Sequence, residues 1–426
     1  MTKYEYPRLG ETLYMDTLEN GLRLCVLPRP EFSRKLAYFV TDFGAIHTDF
    51  QLDGRTVHAP AGIAHFLEHK MFEMPDGRDV SAELAELGAV TNAFTSHDMT
   101  AYYIGCTENF EPALKLLLEF VSTPYFTKES VEKEIGIIDQ EIGMDADSPD
   151  SSCFKNLMTS LYREHPIRID VLGTSESIRQ ITPELLYDCH RAFYTPGNMM
   201  LCVIGDVDPD QVAEMAVQML GAEKKSVGQK LRLWNEDMEI VRNEIQENME
   251  VAMPMFNLGF KCAPTGMGEE AIRQEIIGDL AAEALFGESS ALYLQLYEMG
   301  LIDSSFGGGF ETIDGMAMLL CSGDSDDADY VREEILEEAE RIVRDGIEES
   351  IFQRMKRSAF GRRVRDLDSF DSTCFRLCAY KLTDFDYFEF PRVYESVQIP
   401  EIQEFLHRVV RRERSALSIV NPVKEV

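Results

Sequence analysis

The spacing of apolar and polar positions predicts the same succession of strands and helices in both halves of the chain. In residues 36–205 a strand is followed by two helices, a strand pair, an amphipathic helix, a long helix, and a helix that leads into a last strand. Residues 256–420 repeat this order of elements. The pattern therefore predicts an α+β fold of two similar domains in tandem.

The periodic pattern breaks down between Ala222 and Glu239, where lysine, glycine and asparagine interrupt it. We therefore expect an N-terminal domain at 1–222 and a C-terminal domain at 240–426. The predicted elements that carry candidate chemistry lie in the first of these, namely a helix at 62–72, a strand pair at 89–97 and 100–106, and a long helix from Lys128 towards Met144.

Composition limits the class of protein. Hydrophobic residues make up 45% of the 426 positions, enough to fill two cores. No apolar stretch approaches the roughly 20 residues of a membrane-spanning helix, and Met1–Glu11 is too polar for an export signal. The nine cysteines lack metal-binding spacing, which is typical of reduced thiols. We therefore expect a cytoplasmic protein that does not bind membranes.

The chain is strongly acidic, with a formal net charge of −34 at pH 7. Such a charge repels nucleic acid and attracts basic ligands. Solubility alone also explains an acidic surplus. We expect no nucleic-acid partner and, if the charge serves binding, a preference for basic peptides.

One predicted helix carries a candidate metal motif, Gly62-Ile-Ala-His65-Phe-Leu-Glu68-His69. Because His65 and His69 are four residues apart and Glu68 is three from His65, all three project from one helix face. Two imidazoles at this spacing can hold Zn2+, and the carboxylate beside them can act as a general base. H-x-x-E-H is the inverted form of a zinc-peptidase motif. Three fixed positions also coincide by chance on polar helix faces.

A catalytic zinc site needs a third protein ligand and an open fourth position. The long predicted helix offers several carboxylates, of which Glu134 and Glu141 are two turns apart and share a face. Spacing alone does not separate these two glutamates. Either could also belong to a solvated helix face.

Further motifs, in a fitting order, resemble the pitrilysin (insulinase) family of zinc peptidases, in particular the short-chain subfamily of the mitochondrial processing peptidase. Besides the inverted motif they are Asn92-Ala-Phe94-Thr95-Ser96, Tyr102-Tyr103, Thr123-Pro-Tyr-Phe126, Glu134-x6-Glu141 and Asp147-Ser-Pro149. The resemblance is strong over about residues 20–205 and mainly architectural over 240–426. It implies that each domain is a mainly antiparallel sheet with helices packed on it.

The resemblance also implies roles for individual residues. Glu141 would be the third ligand of one Zn2+ per chain, and Glu134 would orient a ligating histidine from outside the coordination sphere. Glu68 would be the general base. An edge strand would hold an extended substrate peptide by backbone pairing, through residues Asn92, Ala93, Phe94 and Thr95. Phe94 would shape a side-chain pocket, or it would be an ordinary core residue.

The second half departs from the family pattern. Active members carry an arginine and a tyrosine in a segment R-x-x-x-G-L-x-Y, which stabilise the oxyanion and anchor the peptide. Leu296 and Asp303 stand at these two places, and no arginine or lysine lies between Arg273 and Arg332. The resemblance therefore implies the zinc-bearing subunit of a heterodimer whose paralogous partner supplies the missing pair. A homodimer is also compatible with the sequence.

The leading hypothesis is a zinc-dependent endopeptidase for short or unfolded peptides. The alternative is a zinc-containing scaffold subunit that binds peptides without turnover. The incomplete second half favours this alternative, whereas the intact Glu68 disfavours it. The peptide-binding edge strand disfavours a small-molecule hydrolase.

Overall fold

The computed structural model of the chain describes residues 1–423. Its strands are β1 (Thr2–Tyr6), β2 (Glu11–Thr17), β3 (Arg23–Pro28), β4 (Lys35–Thr41), β5 (Asp49–Leu52), β6 (Arg55–His58), β7 (Val90–Thr95), β8 (Thr100–Cys106), β9 (Met199–Gly205), β10 (Gln229–Lys230), β11 (Glu244–Met249), β12 (Met255–Lys261), β13 (Gly307–Ile313), β14 (Met316–Asp324) and β15 (Ser415–Pro422). Its α-helices are α1 (Ile63–Lys70), α2 (Val80–Glu86), α3 (Phe110–Ser122), α4 (Lys128–Ala146), α5 (Pro149–Leu161), α6 (Ser175–Ile178), α7 (Pro183–Phe193), α8 (Pro209–Leu220), α9 (Glu269–Phe286), α10 (Ala291–Glu298), α11 (Ala328–Asp345), α12 (Glu349–Arg365), α13 (Phe370–Leu382), α14 (Phe390–Ser396) and α15 (Ile399–Val409).

The two large sheets repeat one topology. The first has the order β1-β2-β3-β9-β4-β8-β7, and the second has the order β11-β15-β12-β14-β13. The last five strands of the first sheet thus correspond to the five strands of the second. In both sets the first pair is parallel and the others are antiparallel. The predicted α+β fold of two similar, mainly antiparallel domains is confirmed.

The segment between the two large sheets contains only one short strand within the described residues, β10, which pairs with β5 beside β6. The rest of 221–243 has no regular structure. This irregular segment coincides with the break in the sequence pattern. We therefore propose 1–222 and 240–426 as the two domains.

One helix from each half packs against the sheet of the other half. Helix α5 packs against β12 and β15 of the second sheet, and α13 packs against β4 and β9 of the first. The apolar core is therefore continuous across the division. Cys374 and Leu377 of α13, for example, lie in one buried cluster with Tyr38 and Cys202 of the first sheet.

Helix α4, which carries Glu134 and Glu141, has a side-chain cap at its start. At its start the Thr127 side chain accepts from Ser130 N–H, while the Ser130 hydroxyl accepts from Thr127 N–H. This reciprocal pair satisfies two backbone donors that a helix start otherwise leaves unpaired. The helix ends at Ala146, and Ser148 caps the next helix, α5, which begins at Pro149.

Candidate active site

Helix α1 is held by its apolar side, so that its polar side faces α4 and β7. Phe66 and Leu67 are fully buried in the core of the first domain. His65 and Glu68 are only 7% and 8% exposed, and His69 is partly exposed. The three polar side chains therefore line a sheltered surface rather than an open one.

Glycine at position 62 sets where α1 begins. Gly62 has φ of +86°, and a Cβ there would lie 2.4 Å from the carbonyl oxygen of Leu172. The contact is mutual, because a Cβ on Gly173 would lie 2.5 Å from the carbonyl oxygen of Ala61. This close backbone approach requires glycine and positions the first turn of the motif helix.

Glu141 of α4 meets both histidines of α1. Its Oε2 lies 3.7 Å from His65 Nε2 and 3.7 Å from His69 Nε2. Among the described residues this is the one group of three or more histidine, cysteine or acidic side chains whose ligand atoms all lie within 4.8 Å of one another. Atoms bound at about 2.1 Å in a tetrahedron lie about 3.4 Å apart, so this donor set fits Zn2+ with an open fourth position.

Glu134 contacts the same site from behind. Its Oε1 lies 3.0 Å from His69 Nδ1, where the ring N–H donates to the carboxylate. This tautomer leaves the lone pair of His69 Nε2 free and directed towards Glu141. It is the arrangement in which Glu141 would bind a metal and Glu134 would orient a ligand.

The protein groups around the site favour neutral imidazole at position 65. Burial, and then the neighbouring His69, lower the pKa of His65 to about 4. Burial alone would also lower the pKa of His69, but the hydrogen bond and charge of Glu134 raise it above the usual value. The His65 ring is therefore uncharged at neutral pH, the form in which an imidazole can bind a metal, and His69 is hydrogen-bonded to the Glu134 carboxylate.

Glu68 is held by the edge strand. Thr95 Oγ1 donates to Glu68 Oε2 at 2.6 Å. Burial raises the pKa of Glu68, and the Thr95 hydrogen bond opposes this rise. Glu68 thus lies on the same helix as His65 and His69 and is hydrogen-bonded to strand β7.

Strand β7 forms the outer edge of the first sheet. At the adjoining turn, Ser96 N–H donates to Met99 C=O at 2.8 Å. Because paired and unpaired positions alternate in an antiparallel ladder, the backbone groups of Ala93 and Thr95 point away from β8. The Ala93 N–H donates to Asn92 Oδ1 at 2.9 Å, which is consistent with an N–H that points away from β8.

Phe94 lies on the opposite face of β7 from Thr95. Its ring centroid is 6.5 Å from that of Tyr38 and 6.0 Å from that of Phe375 on α13. Phe94 is only partly buried, so it packs against the core and also borders the surface next to the open strand edge.

The two departures in the second half lie away from any catalytic arrangement. Leu296 is fully buried in the core, and Asp303 accepts from Ser305 N–H in an exposed turn. Neither side chain is a cation or a phenol. Positions 296 and 303 therefore supply no replacement for the arginine and tyrosine of the family pattern.

Two contacts in the site are not evident from the sequence. The Thr95 hydroxyl binds Glu68, and Lys70 forms ion pairs with Glu73 and Glu134. The available signal for the second contact was a lysine directly after the motif, in a short helix that is otherwise mostly apolar.

Known proteins resemble this chain in sequence and in fold. Residues 58–175 match the family profile described as Insulinase (Peptidase family M16), and 180–359 match that described as Peptidase M16 inactive domain. A Bacillus subtilis (strain 168) protein named uncharacterized zinc protease YmfH is 37% identical over 429 residues, 98% of each chain. Another from that organism, uncharacterized zinc protease YmxG, is 23% identical over 366 residues, 84% of this chain and 85% of that protein.

A solved structure agrees with these matches. The crystal structure of an M16-like peptidase from Alicyclobacillus acidocaldarius is 33% identical, with a TM-score of 0.93 over 99% of this chain and 100% of that one. The fold is that of the M16 peptidases. The chain belongs to the insulinase family, peptidase family M16, as the motif resemblance predicted.

Within residues 1–423, no helix combines the length and the apolar character that crossing a membrane would require.

Proposed function

We propose that this chain is a zinc-dependent endopeptidase with one Zn2+ held by His65, His69 and Glu141. The observation that carries the proposal is the convergence of these three ligand atoms beside a separately held carboxylate, Glu68. The names of the Bacillus subtilis relatives as zinc proteases support it.

The chemistry follows from what each residue can do. When bound, zinc would polarise the scissile carbonyl and lower the pKa of the attacking water. Glu68 takes the proton from that water and later passes it to the leaving amine. Its burial supports the first step, because a raised pKa makes a carboxylate a stronger base. With Oε2 bound to Thr95, Oε1 remains for the proton transfer.

The substrate would be an extended peptide added to the open edge of β7. The outward N–H and C=O of Thr95 and the outward C=O of Ala93 supply the pairing, next to Asn92, whose Oδ1 accepts from the Ala93 N–H. Because strand side chains alternate between faces, successive substrate side chains would meet the Phe94 face and the Glu68 face in turn. The net charge of −34 favours basic peptides.

We propose further that a paralogous subunit completes the site as a heterodimer partner. Leu296 and Asp303 stand where the family pattern has its arginine and tyrosine. The leucine is buried and the aspartate faces solvent. A homodimer would bring a second copy of the same leucine and aspartate. A partner that carries R-x-x-x-G-L-x-Y would supply the donor for the developing oxyanion.

The same departure supports a second candidate function. A subunit with a zinc-binding site but no oxyanion donor could hold peptides without cleaving them. Glu68 argues against this alternative, because binding zinc for stability does not require a base beside the metal.

The cysteines bear on where the chain works. All nine are free and buried in the structure. Unpaired thiols are the usual state in a reducing compartment, so we propose a cytoplasmic location.

Cleavage of unstructured basic peptides tests the function. The zinc-loaded chain is assayed alone and with a paralogous subunit that carries the arginine and tyrosine. We expect the mixture to be active, the chain alone to be about 10²–10³-fold slower, and Glu68→Gln to abolish cleavage by the mixture. Robust cleavage by the chain alone, unchanged by the partner, would refute the divided site. A fully zinc-loaded mixture without turnover would support the scaffold alternative.

A further inference from the structure

The last residue of α1 is a lysine with no contact to solvent. Lys70 directly follows His69, and its side chain is 0% exposed. An ammonium group is costly to bury unless opposite charges surround it. Two carboxylates do so here, Glu73 one turn along and Glu134 on α4, whose Oε2 lies 3.7 Å from Lys70 Nζ.

The contacts of Glu134 are divided between its two oxygens. Oε1 accepts from His69 Nδ1 at 3.0 Å, while Oε2 faces Lys70. The carboxylate is therefore hydrogen-bonded at one oxygen and attracted electrostatically by the Lys70 ammonium at the other. Without Lys70, the charge that draws Oε2 towards α1 would be lost.

The two histidines differ in this respect. Among the described residues, buried His65 Nδ1 has no hydrogen-bond partner, whereas His69 Nδ1 is bound to Glu134. Hence His69 is the imidazole whose orientation depends on a carboxylate. A disturbance of that carboxylate would act on the metal through His69.

We infer that Lys70 is a positioning residue for the metal, which holds Glu134 between α1 and α4 so that His69 presents Nε2 to zinc. The inference rests on the proposed zinc site. It differs from a general stabilising role, because a lysine that only served the end of α1 could do so from an exposed position.

The experiment measures zinc dissociation constants of the full chain by competition with a chelator. Lys70→Met removes the charge at similar length, and Glu134→Gln removes the group through which it acts. We expect Lys70→Met to weaken zinc about 10-fold and Glu134→Gln about 10–100-fold. The double variant should bind zinc no more weakly than Glu134→Gln alone, because both changes interrupt one path.

Lys261 provides a matched control. It is also 0% exposed and ion-paired, with Glu236, but it lies on β12 of the second sheet. Lys261→Met should lower the thermal midpoint and leave the zinc dissociation constant within about twofold of the wild type, because a remote buried ion pair does not touch the ligands. If Lys70→Met does not fold, Lys70→Gln and Lys70→Arg replace it, and the arginine variant should retain tighter zinc binding.

The outcomes separate the inference from the proposed function. Wild-type affinity in Lys70→Met, or losses that simply add to those of Glu134→Gln, would overturn the role of Lys70 and leave the zinc site standing. Absence of zinc binding in the wild type would instead overturn the proposed function. Equal losses of zinc affinity in Lys70→Met and Lys261→Met would mean that Lys70 contributes only to general stability.

Discussion

Replacing Glu236 with glutamine tests how strongly one buried carboxylate links the segment between the two large sheets to both halves of the chain. The Glu236 carboxylate is 3% exposed and accepts N–H groups of Arg163, Glu164 and His165 at 3.1, 2.7 and 2.8 Å. It also accepts from the Lys261 ammonium at 2.5 Å. The variant removes the negative charge and leaves a fully buried lysine without an ionic partner.

The size of the effect follows from the pKa of the carboxyl group. Burial alone would raise the pKa of Glu236, but Lys261 and the three backbone N–H groups lower it from 4.5 to about 2. This difference corresponds to about 3 kcal/mol of stability at neutral pH, since each tenfold change is worth about 1.4 kcal/mol. Breaking a buried ion pair typically costs about 3–5 kcal/mol, which agrees.

Urea unfolding at several pH values measures this contribution. Because the pKa is lower in the folded than in the unfolded chain, the stabilisation is fully present above about pH 5.5 and is lost as the pH falls towards 2. We expect the gap between wild type and Glu236→Gln to be about 3 kcal/mol at pH 7 and about half of that at pH 3.

Glu239→Gln is the matched control within the same segment. Its side chain is 78% exposed and lies 4.0 Å from Arg163, so we expect a loss below about 0.5 kcal/mol. A gap for Glu236→Gln as small as this control, or one that stays constant between pH 7 and pH 3, would refute the reasoning.

Two further predictions concern the site. Glu141→Gln should weaken zinc binding more than Glu134→Gln, whose loss of about 10–100-fold acts through a ligand, and equal losses in chelator competition would contradict the assigned roles. Gly62→Ala should lower the free energy of unfolding by about 1–2 kcal/mol, because an alanine is strained in the left-handed backbone conformation of this position. The clash of the new Cβ with the Leu172 carbonyl oxygen should lower it further. Gly54 has φ of +79°, and a Cβ there would contact nothing, so Gly54→Ala should show the cost of backbone strain alone. Equal losses of stability for Gly62→Ala and Gly54→Ala in thermal denaturation would contradict a close backbone approach at the start of α1.

The chemistry of α1 could be predicted because it depends on local periodicity. Residues three and four apart share a helix face wherever the helix lies, so the grouping of His65, Glu68 and His69 needed no tertiary information. Spacing alone could not choose between Glu134 and Glu141, because both lie on one face of α4. The family resemblance implied Glu141, and the packing of α4 on α1 brings Glu141 near both Nε2 atoms and Glu134 to Nδ1 of His69.

Other features depend on packing that a pattern does not encode. Strand β1 is exposed at four of its five positions, so it carries no apolar alternation to reveal it. The apolar faces of α5 and α13 indicate burial without indicating that each packs on the sheet of the other half. Lys70 would be assigned to the surface by composition, since lysine is almost never fully buried unless paired.

Anomalous diffraction at the zinc edge from crystals of the Glu68→Gln variant tests the central claim most directly. The account predicts one peak per chain between His65 Nε2, His69 Nε2 and Glu141, because Glu68 acts on the proton and is not needed to hold the metal. A peak that is present in the wild type and lost in Glu68→Gln would make Glu68 a ligand. A peak centred on Glu134, or no peak in either protein, would contradict the proposed site.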